Sequence, residues 1–278
     1  RLMIERHRLQ DAEETARTGA FLSDVERDIR RRMTVLWQTA LIRQVRPRIE
    51  DEIEVGLRYY LLSLLQEIPA LNRDVHGTLT GRFNAGFGDG AAQAIVRPGS
   101  WIGGDHDGNP FVTAQTLDYA SRRAAETVLK YYARQLHTLE QELSLSDRMT
   151  SVTGELIELA GRGHNDVPSR VDEPYRRAVH GVRGRILATT AELVGAEAVE
   201  GVGYRAHEPY ASAGEFDADL GIIDDSLRLS NDAIIADDCL ATIRAAVSSF
   251  GFHLHSIDLR QNSESFENVL AEVFATAH

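Results

Sequence analysis

The stretch from Gly99 to Pro110 constrains the fold of this chain most strongly, because an amphipathic helix cannot have its composition. Its twelve residues include four glycines, two aspartates, one histidine and one asparagine. Residues of these types at such density interrupt regular structure. Long segments with apolar residues at helical spacing lie before and after it. The sequence therefore predicts a loop with its own local chemistry, placed between two helical regions.

A short strand is expected to lead into this loop. Residues 96–102 mix apolar and small side chains and include Trp101. Gly103 and Gly104 follow, and glycine permits positive φ and lets the backbone approach another group closely. We therefore expect a strand whose end runs into a turn against a neighbouring element or a ligand.

The acidic and amide residues of the loop leave three interpretations open. Asp105, Asp107 and Asn109 alternate along the chain, so a curled loop brings their oxygens together. They could fix the shape of the loop through Asx turns, contact a polar substrate, or bind a hard cation. A metal-dependent hydrolase built on Asp105, His106 and Asp107 is a less favoured version of the cation-binding interpretation. Residues adjacent in sequence converge poorly on one ion.

A second stretch, residues 250–263, predicts a strand with a chemical gradient. With a period of two, Phe252, Leu254, Ser256, Asp258 and Arg260 share one face, which changes from apolar to charged along the chain. Barrels and parallel sheets carry their sites at the carboxyl ends of their strands. Arg260 is then expected to point into a site and to bind a phosphate bidentately, with Asp258 orienting its guanidinium. A purely structural ion pair is the alternative for these two residues.

Read as strings, both stretches resemble the phosphoenolpyruvate carboxylase family. GSWIGGDHDGNPFVT is similar to the family loop GSWMGGDRDGNPNVT, with His106 at the position where arginine is usual, and Asp258 to Ser263 is similar to its D-x-R-Q-x-S strand end. Residues 49–72 and 124–149 are also similar to the family, so the resemblance spans nearly the whole chain. It implies a mainly α segment, with many long helices and two or three short strands near 95–102 and 252–260. Residues 1–278 would form a single helical segment of a larger TIM-like α/β barrel.

The resemblance also implies a function and a set of site residues. Members of the family convert phosphoenolpyruvate and bicarbonate to oxaloacetate and phosphate, and they use Mg²⁺ or Mn²⁺. This reaction is an anaplerotic carbon fixation. The enzymes are usually tetramers with allosteric control. Arg260 takes the catalytic, phosphate-binding role, and Trp101 lines an apolar pocket near the substrate. The remaining expected substrate-binding residues are Gly103, Gly104, Asp105, Asp107, Asn109, Asp258 and Gln261.

Other family motifs do not occur in these 278 residues. The strand with the catalytic histidine is expected shortly before residue 1, and the metal ligands, the G-R-G-G loop and further catalytic residues after residue 278. The chain is therefore expected to be an internal segment that is inactive alone and holds no metal. A non-enzymatic helical scaffold or interaction module is the alternative function.

Composition bears on the membrane association, the compartment and the partners expected of this protein. No run of about eighteen apolar residues is present, so no membrane span is expected. Arg1-Leu-Met-Ile-Glu-Arg is unlike a signal peptide, and the single cysteine, Cys239, fits a reducing cytoplasm. A formal charge of −12 argues against nucleic acid as a partner.

Local signals predict where the helices begin and end. Before the glycine-rich loop we expect a long basic helix from the N-terminus to Pro47, a buried helix after Glu50 that Pro69 breaks, a shorter helix to Leu79 and a Gly86–Gly90 loop. After it we expect a helix from Thr113 to about Leu143, one near 153–161 and one over 232–249. Capping boxes are expected at Ser169-x-x-Asp172 and Ser212-x-x-Glu215. Lone histidines (His164, His180, His207) predict no metal site. A dispersed acidic patch is expected to be a solvated face: Asp217, Asp219, Asp224, Asp225, Asp237 and Asp238.

Overall fold

A computed structural model describes residues 22–39, 48–83, 94–107, 109–163, 167–199, 201 and 203–277, and these are mainly helical. The chain divides into two units, residues 1–47 and 48–278. The predictions for residues 1–19, Pro47, the Gly86–Gly90 loop and His164 lie outside the described residues. No helix in the described part of the chain is both long enough and apolar enough to cross a membrane.

The first unit contributes helix α1, Leu22–Trp37. Its arginines pair with acids one turn away: Arg30 lies 2.8 Å from Glu26, and Arg31 lies 2.8 Å from Asp28. Pairs at this spacing stabilise an exposed helix modestly. The arginines of this helix thus lie on a salt-bridged face, and the helix ends at Trp37, before the predicted end at Pro47.

The second unit contains the other helices and the sheet. The α-helices are α2 (Ile49–Tyr59), α3 (Leu65–Phe83), α4 (Ala114–Glu142), α5 (Gly154–Arg162), α6 (Pro174–Leu193), α7 (Ala213–Leu229), the short α8 (Ala233–Ile235), α9 (Ala241–Phe250) and α10 (Ser263–Ala277). Turns of π-helix span Tyr60–Leu64 and Ala236–Leu240, and 3₁₀ turns span Pro168–Arg170, Ala196–Ala198 and Gly203–Ala206. The strands are β1 (Gly99–Ser100) and β2 (Ser256–Ile257).

Helix α4 runs through the core of this unit. Thr113 caps it as predicted, with its Oγ1 accepting from the N–H of Thr116, and Leu143 ends it. Its buried face, which includes Val128, Tyr132 and Leu136, packs in one continuous apolar cluster. The Tyr132 hydroxyl donates to the carbonyl oxygen of Gly251 at 2.8 Å, so even the polar tip of this buried ring is satisfied.

Proline 69 does not break the second helix, so that prediction is wrong. It lies inside α3, which continues to Phe83 and therefore passes Leu79. A proline within a helix cannot bond the carbonyl four residues earlier and clashes with it, here that of Leu65. The π turn Tyr60–Leu64 ends immediately before Leu65. Its wider hydrogen-bond spacing shifts the backbone hydrogen bonds of the helix at the point where the pyrrolidine ring of Pro69 needs space.

Of the two predicted capping serines, one caps a helix and the other does not. Ser212 does cap α7, accepting from the Glu215 N–H at 3.2 Å. Ser169 does not start α6, because residues 168–170 form a 3₁₀ turn and the helix begins later, at Pro174. Proline is favoured in the first helical turn, where its missing N–H costs no hydrogen bond. It sets the start of α6 instead of the serine.

The acidic patch is only partly a solvated face, which corrects the prediction. Asp219 and Asp224 are buried. Asp219 accepts from Arg185 at 2.9 Å and from the Tyr210 hydroxyl at 2.8 Å. Asp224 accepts from Arg228 at 2.9 Å. These carboxylates are structural ion pairs, since burying a charge demands such partners.

The sheet is smaller than the sequence predicts. β1 and β2 pair in parallel, Gly99 with Ser256 and Ser100 with Ile257, and no third strand joins them in the described ranges. Residues 251–255 are a turn in which Leu254 has a φ of 66°. The predicted period-two face therefore fails for Phe252 and Leu254, which are buried by the turn and not by a strand. The barrel and the single-segment organisation stay predictions.

We expect Glu54→Gln to destabilise the fold in a pH-dependent way. Arg123 donates two hydrogen bonds to this carboxylate, at 2.6 and 2.9 Å, joining α2 to α4, and this lowers the pKa of Glu54 below its ordinary 4.5. Because the pKa is lower in the folded state, the stabilisation is present above pH 4.5 and is lost as the pH falls through the folded-state pKa. With 43% of the side chain exposed, the loss at pH 7 should stay within about 1 kcal/mol.

Urea unfolding of the two proteins at a series of pH values measures this difference. The gap in the free energy of unfolding should shrink towards zero in acid. Glu158→Gln is the matched control, because Glu158 is exposed and has no ion pair among the described residues. A gap that stays constant with pH would contradict the role of the Glu54 charge.

Candidate functional site

Backbone pairing places the glycine-rich loop beside Arg260. The Asp258 N–H donates to the Ser100 carbonyl at 2.8 Å and continues the β1–β2 ladder. Beyond the strands, the Arg260 N–H donates to the Gly104 carbonyl at 3.0 Å, and the His106 N–H donates to the Arg260 carbonyl at 2.8 Å. These two bonds form a parallel bridge centred on Asp105. The two stretches singled out in the sequence therefore meet at the carboxyl ends of the strands.

Two glycines permit this close approach. Gly103 has a φ of 89°, and a Cβ there would lie 2.8 Å from the Cβ of Ala120. At Gly104 a Cβ would lie 2.5 Å from the carbonyl oxygen of Asp258. Real side chains do not tolerate such contacts, so the loop packs on β2 and α4 only because both residues are glycine.

The Arg260 side chain lies against Trp101 and has unused donors. Its guanidinium carbon is 4.7 Å from the centre of the indole ring, a cation–π arrangement. The nearest Asp258 oxygen is 3.8 Å from the guanidinium, too far for a hydrogen bond. Both charged side chains are about half exposed, at 48% and 58%. The guanidinium is thus held at one face while its edge is available to an anion.

The loop residues mostly hold the loop itself. The Asp105 carboxylate accepts from the Asp107 N–H at 3.2 Å, and the Asn109 side chain accepts from the Phe111 N–H at 3.2 Å. These are Asx turns, the self-structuring interpretation. Asp107 is exposed. In the described ranges no three His, Cys, Asp or Glu side chains are grouped so that they could hold a metal ion, and the hydrolase interpretation has no support there.

The residues after Arg260 cap the next helix. The Gln261 side chain accepts from the Asn262 N–H at 2.8 Å, and the Asn262 side chain accepts from the Glu264 N–H at 2.9 Å in the first turn of α10. Gln261 is exposed but its oxygen is already engaged locally. The predicted substrate contact by Gln261 therefore depends on its amide N–H₂ group.

An apolar cavity of about 330 Å³ lies behind Trp101. It is bordered by α2, the π turn, β1, Ala120 of α4 and His255, which precedes β2. The Tyr60 and His255 rings meet there with centres 5.4 Å apart. Burial raises the pKa of Tyr60 to about 12 and lowers the pKa of His255, so both groups are held neutral at pH 7.

Sequence reasoning missed Asn72, which positions β1. This buried amide accepts from the Val96 N–H at 2.8 Å and donates to the Val96 carbonyl at 2.9 Å, as a neighbouring strand would. It also donates to Ser249 on α9 at 2.9 Å. The available signal was weak, because Asn72 only follows the short apolar run Ile68–Leu71 and precedes the charged pair Arg73 and Asp74. Its partners are too distant in sequence for that signal to identify them.

Comparison with known proteins gives one consistent result. The family model described as phosphoenolpyruvate carboxylase matches residues 4–278. The phosphoenolpyruvate carboxylase of Corynebacterium glutamicum is 68% identical over 275 residues, which cover 99% of this chain and 30% of that protein. The phosphoenolpyruvate carboxylase of Nocardia farcinica is 48% identical over 269 residues, covering 97% of this chain and 29% of that protein. The chain thus spans about 30% of the length of the curated relatives it matches.

We expect Gly104→Ala to separate the loop from β2. The added Cβ would also meet Ile257 Cγ2 at 2.8 Å, so the backbone must shift. A loss of about 1–3 kcal/mol is typical of overpacking, and the rigid backbone contact here favours the upper end of that range. Denaturant unfolding measures it, and Trp101 fluorescence reports whether the environment of the indole changes.

Gly77→Ala is the matched control, because a Cβ there meets no atom within 4 Å inside α3. That substitution should be neutral or stabilise by up to about 1 kcal/mol. Equal effects of the two substitutions would contradict a special role for the contact between Gly104 and Asp258.

Proposed function

The chain belongs to the phosphoenolpyruvate carboxylase family, and from that premise we propose that the protein containing it forms oxaloacetate and phosphate from phosphoenolpyruvate and bicarbonate. In this proposal bicarbonate oxygen attacks the phosphoryl group and displaces the enolate of pyruvate, which gives carboxyphosphate. The enolate carbon then forms a bond to the carboxyl carbon, the bond from that carbon to the phosphate oxygen breaks, and phosphate leaves. Negative charge builds up on the phosphoryl and enolate oxygens. The role of residues 1–278 is to supply groups that bind and stabilise that charge.

The unused donors of Arg260 are the observation that carries this proposal. An arginine committed to a structural role would be engaged by carboxylates, whereas the nearest oxygen of Asp258 is 3.8 Å away. The planar guanidinium can present two parallel N–H groups to a phosphate. Arg260 binds the phosphoryl group, and Asp258 limits the swing of the side chain through a longer-range attraction.

Trp101 and the loop place this arginine. The indole ring packs against one face of the guanidinium, which leaves its edge directed at the ligand. Its apolar surface, 53% exposed, also offers an edge to the substrate pocket. Gly103, Gly104 and Asp105 fix the backbone of Arg260, and Asp107, Asn109 and Gln261 complete the polar rim. All of these are assigned as substrate-binding or positioning residues.

A divalent metal belongs to the proposed activity but not to the residues described. No three carboxylate, histidine or cysteine groups cluster there to hold one. We assign the ligands of Mg²⁺ or Mn²⁺ to parts of the protein outside this chain. A cytoplasmic, allosterically controlled homo-oligomer is part of the same proposal.

Substitution of Arg260 in the full-length protein tests the proposal. Arg260→Ala should lower kcat/KM for phosphoenolpyruvate by at least about a hundredfold, since a bidentate charged contact to a transferring group is worth about 3 kcal/mol or more. Oxaloacetate formation coupled to malate dehydrogenase, with bicarbonate and metal present, measures it. Trp101→Phe should retain more activity than Trp101→Leu, because a phenyl ring still stacks on the guanidinium.

Arg148→Ala is the matched control, because Arg148 is 79% exposed and lies 3.7 Å from Asp172, too far for a hydrogen bond. Its activity should be unchanged. If the unsubstituted full-length protein forms no oxaloacetate with varied metals, or if Arg260→Ala has no effect, the loop has only an architectural role. A helical scaffold would then be the better interpretation.

A further inference from the structure

The buried side chain of Asn72 joins three segments that are far apart in sequence. It lies in α3 and is 4% exposed. Its Oδ1 accepts from the Val96 N–H at 2.8 Å, and its Nδ2 donates to the Val96 carbonyl and to Ser249 Oγ, both at 2.9 Å. Because one amide takes both main-chain groups of Val96, Asn72 occupies the place that a neighbouring strand would fill.

Two serines of α9 complete this arrangement. The Ser249 hydroxyl donates to the Ala245 carbonyl at 2.7 Å, so it offers Asn72 only an acceptor. The hydrogen-bond network thus assigns the amide nitrogen to Ser249 and the amide oxygen to the Val96 N–H. Ser248 Oγ accepts from the Ala94 N–H at 3.0 Å and holds the same segment two residues earlier. We call Asn72, Ser248 and Ser249 the β1 clamp.

The segment that enters the sheet depends on such a clamp, because β1 is two residues long. Its ladder with β2 starts with a long bond, from the Ser256 N–H to the Pro98 carbonyl at 3.4 Å. So little pairing fixes the register weakly, and a shift by one residue would turn every side chain to the opposite face. The register is therefore held from both ends, by the β1 clamp before the strand and by the bridge to Arg260 after it.

Trp101 lies between these two anchors, directly after β1. Its side chain is 53% exposed, so burial alone does not hold the indole in place. Its main chain is fixed, because its carbonyl accepts from the Gly104 N–H at 3.0 Å. The ring therefore lies where the strand places it, 4.7 Å from the guanidinium carbon of Arg260. A displacement of the strand at Val96 would move the ring away from that guanidinium.

We propose that Asn72 is a positioning residue for the phosphate site: by holding Val96 it keeps Trp101 against Arg260 and the guanidinium edge directed at the phosphoryl group. Its effect on catalysis rests on the proposed carboxylase function, whereas its effect on the two side chains rests on geometry alone. A purely structural role differs in its consequence. It would lower the stability of the fold and leave Trp101 and Arg260 in contact in every molecule that remains folded.

The Arg260 Nε–H resonance of the 278-residue chain tests the geometry without any activity. Arg260→Gln assigns the resonance by its loss, and Trp101→Leu gives its position without the ring current of the indole. Asn72→Ala should move the resonance towards the Trp101→Leu position, because the released strand lets the ring leave the guanidinium. Ser249→Ala should move it in the same direction by less, since Asn72 then keeps its two bonds to Val96. This milder variant keeps the test valid if Asn72→Ala does not fold.

Thr189→Ala is the matched control. Thr189 is also buried, and its Oγ1 accepts from the Tyr210 N–H at 2.8 Å, away from the β1 clamp. Its loss should lower the free energy of unfolding and leave the Arg260 resonance in place. The proposal is overturned if the resonance keeps its unsubstituted position in each clamp variant that folds, or if Thr189→Ala moves it as far as they do.

A double-mutant cycle in the full-length protein tests the effect on catalysis. Asn72→Ala should lower kcat/KM for phosphoenolpyruvate about tenfold, because a misplaced binding group costs rate even at a distance from the chemistry. In a Trp101→Leu background it should have little further effect, since the contact that it positions is already lost. Additive losses would contradict the positioning role. If the unsubstituted protein forms no oxaloacetate, the carboxylase proposal fails, and the Arg260 resonance still decides whether Asn72 positions the two side chains.

Discussion

The site depends on one backbone interaction, the parallel bridge between residues 104–106 and Arg260. Two hydrogen bonds, at 3.0 and 2.8 Å, fix the main chain of Arg260 to a loop that lies more than 150 residues earlier in sequence. The bridge can form only because Gly103 and Gly104 have no side chains at the contact. Ser100, Asn72 and Val96 hold the incoming strand in place. The arginine side chain is therefore placed by main-chain geometry, and its own charge remains available for a ligand.

The helical framework behind the site is held by a second kind of constraint. Its buried acids each have at least one arginine partner, as Asp219 has Arg185 and Asp224 has Arg228. Such pairs contribute little net stability, but losing one partner leaves an uncompensated charge. They link helices that also pack through the apolar cluster around Tyr132. This combination gives the strands a rigid support, which the proposed phosphate site requires because its donors must be preorganised.

Local sequence signals predicted the helices well where one interaction decides the outcome. Thr113 and Ser212 cap helices because their hydroxyls reach N–H groups within the same turn. The signals failed where two local rules compete. Helix α6 begins at Pro174 and not after Ser169. The π turn before Leu65 makes room for Pro69 inside a helix. The strand at 252–255 failed because Phe252 and Leu254 are buried by a turn with a positive φ, which alternation alone cannot distinguish from a strand.

By itself, the sequence determined which residue types form the site and that the two motifs belong to one family, because motif identity is local information. The loop glycines and Arg260 are candidates on the motifs alone. Only the tertiary structure decided that Trp101 stacks on Arg260 and that Asn72 clamps β1. These are contacts between residues far apart in the chain. Their energies depend on how several helices pack at once, and no window of sequence contains that information.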